Sequence, residues 1–311
     1  MRPPLFGLLL LAGCQKCMST PAPVAPPSAP GTIVCTEAFL EVVAIALCDD
    51  RCAAGDAEAC SVASDRYRNG IAVRRDLETG RARAKKGCEL GSSAACSGAA
   101  SAALNDDLDG GELVEFAEFQ KQAVANAEKE CTAGRARACE TLSFWYGRPP
   151  QGGVTDFERQ ESNAKRALEL YRQGCDRSDW FLCRRLAMAT KVGALGLETD
   201  AETARALFKK ACNLGDAHAC VDAFDGDGPD EVARPFLKRG CELGDGDACF
   251  GWSIRLQDAE KTAALRKSCD AKYSLGCKDL RRALERAGDA EGAKKAQQSA
   301  CELDDRDECP K

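Results

Sequence analysis

The chain reads as all-α, a solenoid of stacked helix-turn-helix repeats stapled by disulfides, and three observations predict it. Two cysteines eight positions apart recur eight times. The pairs are Cys52 with Cys60, Cys88 with Cys96, Cys131 with Cys139, Cys175 with Cys183, Cys212 with Cys220, Cys241 with Cys249, Cys269 with Cys277, and Cys301 with Cys309. The segments before these frames carry apolar residues at helical spacing, as in Ala204, Leu207, Phe208 and Ala211 ahead of Cys212. The composition is rich in Ala and in charged residues, and only 6% of the 311 residues are aromatic, which suits closely packed helices with a thin core better than one large globule.

The frame itself describes a junction between helices. Glycine stands three residues after the first cysteine in five units (Gly55, Gly91, Gly134, Gly215, Gly244), where a left-handed residue ends a helix. Aspartate follows at Asp56, Asp216 and Asp245, where it would cap the next helix. The first cysteine then lies in the last turn of one helix and the second in the first turns of its successor. A tight reversal brings their Cα atoms within the roughly 4.4–6.8 Å that a disulfide spans, so each frame is predicted to be a staple. The residue before the first cysteine is small in most units (Gly87, Gly174, Ala211, Gly240, Ser268, Ala300), which admits a neighbouring helix. Arg51 and Glu130 depart from this, and their junctions are expected to be looser.

The same apolar spacing occurs at Ala167, Leu170, Tyr171 and Gly174 before Cys175, and at Ala233, Phe236, Leu237 and Gly240 before Cys241. Successive first cysteines are 36, 43, 44, 37, 29, 28 and 32 residues apart, a period that belongs to two-helix repeats. The last units are short, so irregularity is expected there. On its motifs the chain resembles the TPR/Sel1-like α-solenoids, specifically the cysteine-rich, Hcp-like branch of Sel1-like repeats from bacterial envelopes. The matching residues are Asn69-Gly70-Ile71-Ala72-Val73 with Asp76, Lys85-Lys86-Gly87-Cys88-Glu89-Leu90-Gly91, and Ala206 through Asp216. The resemblance covers about residues 49–311 and implies a scaffold that binds a protein or peptide in its groove. For some relatives it also implies weak penicillin binding or β-lactamase activity.

The N-terminus predicts a location. A basic start at Arg2 and the apolar run Leu5–Ala12 form a signal-peptide core too short to span a bilayer. Leu11-Ala12-Gly13-Cys14 resembles the bacterial lipoprotein cleavage box, which implies lipidation of Cys14. Gln15 at the next position favours an outer-membrane address by resemblance to enterobacterial sorting. Residues 1–13 are thus expected to be a lipoprotein signal peptide, 14–31 a lipid-anchored Pro-rich tether, and 32–311 the solenoid. A continuous apolar helix is expected over Thr36–Cys48. Recurrent cysteine spacing points to an oxidising compartment. Cell-envelope localisation, facing the periplasm or the cell surface, follows from these together. Cys17, Cys35 and Cys48 fall outside the frames, and Cys48 competes with Cys52 for Cys60.

The remaining chemistry is sparse. A net charge of −6 with no basic stripe excludes the nucleic-acid binders. C-x7-C is not a zinc-knuckle spacing, and the single histidine, His218, lacks a placed nucleophile. No metal, cofactor or catalytic residue is assigned. Ser162-Asn163-Ala164-Lys165 matches the S-x-x-K of penicillin-recognising enzymes without their companion elements. Asn105 to Glu115 resembles a calcium loop, yet neither register keeps both its glycine and its final glutamate (positions 105–116 or 107–118), and a solvated acidic loop is the better reading. Asp225–Asp230 reads as a turn. The expected function is a non-catalytic, protein-binding envelope scaffold, attached to the membrane through lipid alone. The alternatives are a penicillin-directed enzyme and a purely structural envelope protein.

Overall fold

The computed structural model describes residues 45–105, 112–148, 155–224, 230–303 and 309. Among them lie fifteen α-helices, α1 (Ile45–Ala53), α2 (Ala57–Asn69), α3 (Leu77–Glu89), α4 (Ser93–Asn105), α5 (Glu112–Thr132), α6 (Ala136–Tyr146), α7 (Phe157–Asp176), α8 (Trp180–Val192), α9 (Ala201–Leu214), α10 (Ala217–Asp222), α11 (Asp230–Glu242), α12 (Gly246–Ser253), α13 (Asp258–Asp270), α14 (Ser274–Arg286) and α15 (Ala290–Glu302). Each helix packs on its sequence neighbours and, more lightly, on helices two positions away. That nearest-neighbour pattern is the hallmark of a solenoid. Odd-numbered helices carry the first cysteine of a frame, and the even-numbered helices up to α14 carry the second.

All eight frames are bridged. Cys52 bonds to Cys60, Cys88 to Cys96, Cys131 to Cys139 and Cys175 to Cys183 in the first half of the array. Cys212 bonds to Cys220, Cys241 to Cys249, Cys269 to Cys277 and Cys301 to Cys309 in the second. Across each pair the Cα atoms are 4.4 to 4.8 Å apart, inside the span the sequence spacing anticipates.

The reversal that permits the bridge is the same in seven of the frames. The residue three after the first cysteine donates its N–H to that cysteine's carbonyl, and the next residue donates to the carbonyl just before the cysteine. Gly55 and Asp56 do so to Cys52 and Arg51, at 3.1 and 3.0 Å. This is a Schellman closure, and its last residue is at once the N-cap of the following helix. Asp56, Asp179, Asp216 and Asp245 accept from the N–H three residues on, at 2.6 to 3.1 Å. Ser92 does the same through its hydroxyl at 3.1 Å. No linker remains between the two helices.

The left-handed residue of the closure is glycine where the sequence offers one. Elsewhere Ser178 (φ 65°) and Lys272 (φ 64°) hold the conformation against the clash a Cβ suffers there. Two longer connections repeat a second device. After α2, Gly70 and Ala72 are left-handed; after α8, Gly193 and Leu195 are. Asp76 and Asp200 then cap α3 and α9, accepting from the N–H of Thr79 and Thr203 at 3.0 Å. The buried Arg66 donates to the Ile71 carbonyl at 3.3 Å and fixes the first of these loops.

The core is a file of alanines and half-cystines punctuated by a few large side chains, among them Tyr171, Phe208 and Leu265, each 1% exposed or less. Among the described residues it divides into four apolar clusters along the chain. At Gly87 and Gly240 a small residue before the first cysteine meets a small one, Ala95 or Ala248, before the second. A methyl on Gly87 would stand 2.7 Å from the Ala95 Cβ and 2.9 Å from the Cys60 Cβ of the preceding unit. Where one side is larger the other shrinks, as in Gly174 facing Leu182 and Ser268 facing Gly276.

Several expectations change. The junctions at Arg51 and Glu130 are not loose. Arg51 donates to the Asp56 carboxylate at 2.5 Å, and Glu130 accepts from the Ser93 N–H and hydroxyl at 3.1 and 3.0 Å. Arg51 thus ties its own turn, and Glu130 ties its junction to the start of α4 in the preceding unit. Shortening in the later units comes out of two second helices: α10 has 6 residues and α12 has 8, where α2, α4 and α8 have 13. The helix expected to end at Cys48 runs on to Ala53, which places Cys52 in its last turn; the part before Ile45 lies outside the described residues. Cys52 takes Cys60, and Cys48, which is itself disulfide-bonded, does not compete for it. Cys14, Cys17, Cys35, the Pro-rich tether, the acidic loop over 106–111 and the turn over 225–229 also lie outside them.

Candidate functional site

The frames bring one column of residues together. Six positions after the first cysteine, in the seven frames whose second helix is described, stand Glu58, Ala94, Arg137, Phe181, His218, Asp247 and Leu275. The next residue is small and packed inward in six of these seven frames. The column itself occupies the first turn of each second helix, and six of its seven members line one or other of two cavities. Glu58, Ala94, Arg137 and Phe181 line a cavity of about 570 Å³ that four successive repeats enclose. His218 and Asp247 line a second, of about 290 Å³, with Tyr273, Gly70–Ala72 and Leu303. The loop after α2 therefore shares a cavity wall with the starts of α12 and α14, which shows how far the superhelix has turned.

Electrostatics differ between the two cavities. In the larger, Lys129, Arg135 and Arg137 stand against Glu58 and Glu130, and Glu130 is held by Ser93. Behind Arg137, Glu140 accepts from both the Tyr171 hydroxyl, at 2.5 Å, and the Arg185 guanidinium. Arg184 pairs with the buried Asp216 at 3.0 Å and stacks over Phe181 at 6.0 Å. Burial, and then the Arg185 cation, pull the Arg137 guanidinium down to about 10. Burial and the Glu140 carboxylate push the Tyr171 phenol up. The smaller cavity is acidic. Asp245 caps α12 and lies 3.4 Å from Nδ1 of His218. Burial raises the Asp247 carboxyl against the opposing hydrogen bond from Tyr273, whose phenol burial and Asp247 push to about 12.

The other sequence candidates fall elsewhere. Ser162 and Lys165 sit on the exposed side of α7, where the Lys165 ammonium is 2.6 Å from Glu161, a surface ion pair. Glu115, from the end of the calcium-like stretch, lies within α5 and accepts from Arg81 and Lys85 at 2.8 and 2.5 Å. Among the described residues no group of three or more His, Cys, Asp or Glu side chains is placed to hold a metal ion. No helix of the described residues is long and apolar enough to cross a membrane. Of the residues in the column, the sequence draws the eye to His218 alone. The rest are legible only as a column: it is chemically varied where the column beside it is almost uniformly small.

Fold and concave face together define the class: an α-solenoid of disulfide-stapled helix pairs. No family model matches the chain, and no curated relative does. Among solved structures it is similar to a protective antigen of uropathogenic Escherichia coli displaying an SLR fold, at 16% identity and a TM-score of 0.42, over 82% of this chain and 63% of that one. It is also similar to a Sel1 repeat protein from Oxalobacter formigenes, at 14% identity and a TM-score of 0.43, over 90% of this chain and 93% of that one. The chain thus matches under two thirds of the length of the first of these.

Proposed function

We propose that the protein is a non-catalytic scaffold of a bacterial cell envelope, anchored by lipid at Cys14, that binds a protein or peptide on its concave face. The observation that carries this reading is the column Glu58, Ala94, Arg137, Phe181, His218 and Asp247. These six residues of differing chemistry line two cavities, four of them in one and two in the other, borne by a frame that is otherwise uniform. A solenoid supplies rigid, closely spaced positions for such contacts. Eight bridges support an oxidising compartment. A Pro-rich spacer at 14–31 would hold the body away from the membrane surface.

Photo-crosslinking amino acids in the full-length protein test this in native envelopes. One is placed at position 181 on the inner face and another at position 165 on the outer side of α7. The expected result is a discrete adduct from 181 and none from 165. Adducts of equal yield from both, or a protein that turns over a β-lactam, would sink the reading. Intact mass checks the anchor: a diacylglyceryl group on Cys14 is expected, and an unmodified thiol there removes that part.

A further inference from the structure

We infer that the bridge of the last frame, Cys301 to Cys309, is a thiol–disulfide exchange site that takes the thiolate of a dithiol, while the other seven frame bridges are closed to it. This goes beyond the scaffold reading and does not depend on it. In those seven the second half-cystine is 0 or 1% exposed, and the first is buried too. Cys301 and Cys309 are both partly exposed. The setting of the sulfur differs in the same sense. Sγ of Cys60, Cys183, Cys249 and Cys277 lies in a buried contact with the carbonyl oxygen of its own first cysteine, at 3.5 to 3.7 Å. The Cys309 sulfur lies 4.0 Å from the Cys301 carbonyl oxygen, in a contact that is only part-buried.

Stacking explains the closed bridges. The first helix of a unit covers the bridge of the unit before it. A Cβ on Gly87 of α3 would meet the Cys60 Cβ at 2.9 Å, and one on Gly240 of α11 would meet the Cys220 Cβ at 3.2 Å. Exchange needs a thiolate to reach a sulfur, so such sulfurs react only after a helix pair has parted. Cys301 stands in the last turn of α15, and Cys309 lies outside the described helices, so this bridge is reached without parting two helices. The step balances. The attacking thiolate bonds to one sulfur of the pair, and the other leaves as a thiolate that takes up a proton. The second thiol of the same reagent, once ionised, attacks the mixed disulfide and releases the first cysteine. Two electrons and two protons pass from the dithiol to Cys301 and Cys309, and the dithiol becomes a disulfide.

Timed reduction of the full-length protein tests the inference. The reagent is dithiothreitol in native buffer, and samples are trapped with N-ethylmaleimide and mapped by peptide mass. Cys301 and Cys309 are expected to be labelled first among the frame cysteines, by roughly tenfold or more over any other pair. Sub-denaturing urea should leave their rate unchanged and accelerate the others, which wait on an opening that exposes surface. Cys301→Ser with Cys309→Ser should abolish the fast phase and keep the slow ones. A second arm uses Cys309→Ser alone, whose Cys301 thiol should form a mixed disulfide with oxidised glutathione in the absence of denaturant. Another frame pair labelled as fast overturns the inference. So does labelling of all the frame pairs together, or a fast phase that outlives the double substitution. Urea acceleration shared by Cys301 and Cys309, or a Cys301 thiol that stays unmodified in the second arm, does the same.

Discussion

At the scale of single residues the frame shows where chemistry is negotiable. The position three after the first cysteine must be left-handed, because the carbonyls at both ends of the Schellman closure can be reached from no other conformation. Five frames meet that demand with glycine, while Ser178 and Lys272 meet it against the clash of a Cβ. Ser178→Gly and Lys272→Gly are each expected to raise unfolding free energy by roughly 0.5–1 kcal/mol, measured by denaturant titration with the bridges intact; a loss of stability would contradict the geometry. Asp65 is a different case. Half-buried on α2, its carboxyl is raised by burial to about 6, and Arg68 offsets this only in part. A carboxyl whose pKa is higher in the folded state binds more protons there than in the unfolded chain. Stability contributed by Asp65 is therefore largest below its ordinary pKa, near 4, and falls as pH rises toward about 6. Asp65→Asn should remove that slope and stabilise the protein at pH 7 by about 1–2 kcal/mol, visible as a flatter midpoint where the wild type declines.

At the scale of elements, the sequence shows each helix pair clearly and each packing partner hardly at all. The caps, the stop residues and the cysteine pairs are local, and all the information for a bridged reversal, such as that from Cys88 to Cys96 or from Cys241 to Cys249, lies within nine residues. What meets Gly87 is not local. Its flanking turn brings Ala95, but another wall is Cys60 of the preceding unit, 27 positions back in the chain. Gly87→Ala is expected to cost about 1–3 kcal/mol by overpacking a junction with no flexible side chain to give way. Gly91→Ala, four residues on in open space, would lose only its backbone preference. Comparing the two variants' thermal midpoints separates packing from conformation. The same reasoning explains why Arg51 and Glu130 mislead in the sequence. Side-chain size alone predicts a loose turn, whereas the ion pair with Asp56 and the bonds to Ser93 depend on what lies across it.

For the whole molecule, a core divided into four clusters makes stability a sum over neighbours rather than one cooperative block. The cluster running from α5 to α10 is the largest, and it contains Tyr171, Phe208 and three bridges, Cys131 to Cys139, Cys175 to Cys183 and Cys212 to Cys220. Hydrogen exchange should therefore protect α7 to α9 most and α1 and α15 least. Removing one central bridge by Cys175→Ser with Cys183→Ser is expected to cost about 2–3 kcal/mol and to flatten that gradient. A single sharp transition unchanged by that double substitution would argue against nearest-neighbour stability. Full reduction removes every such constraint and should unfold the chain at ordinary temperature.

The sequence by itself determined the helix pairs, their bridges and the repeat class, because each frame encodes helix end, reversal, cap and crosslink within a span shorter than three helical turns. Its N-terminal segment set the expectation of a lipid-anchored envelope protein on equally local grounds. Only the tertiary structure decided which face of the repeats is concave, and hence that Arg135, Arg137 and Phe181 share a cavity while Ser162 and Lys165 lie outside it. The physical reason is accumulation. The small rotation between one helix pair and the next is set by packing between units, and only after four of them have stacked do residues from four separate turns of the chain come to line one wall.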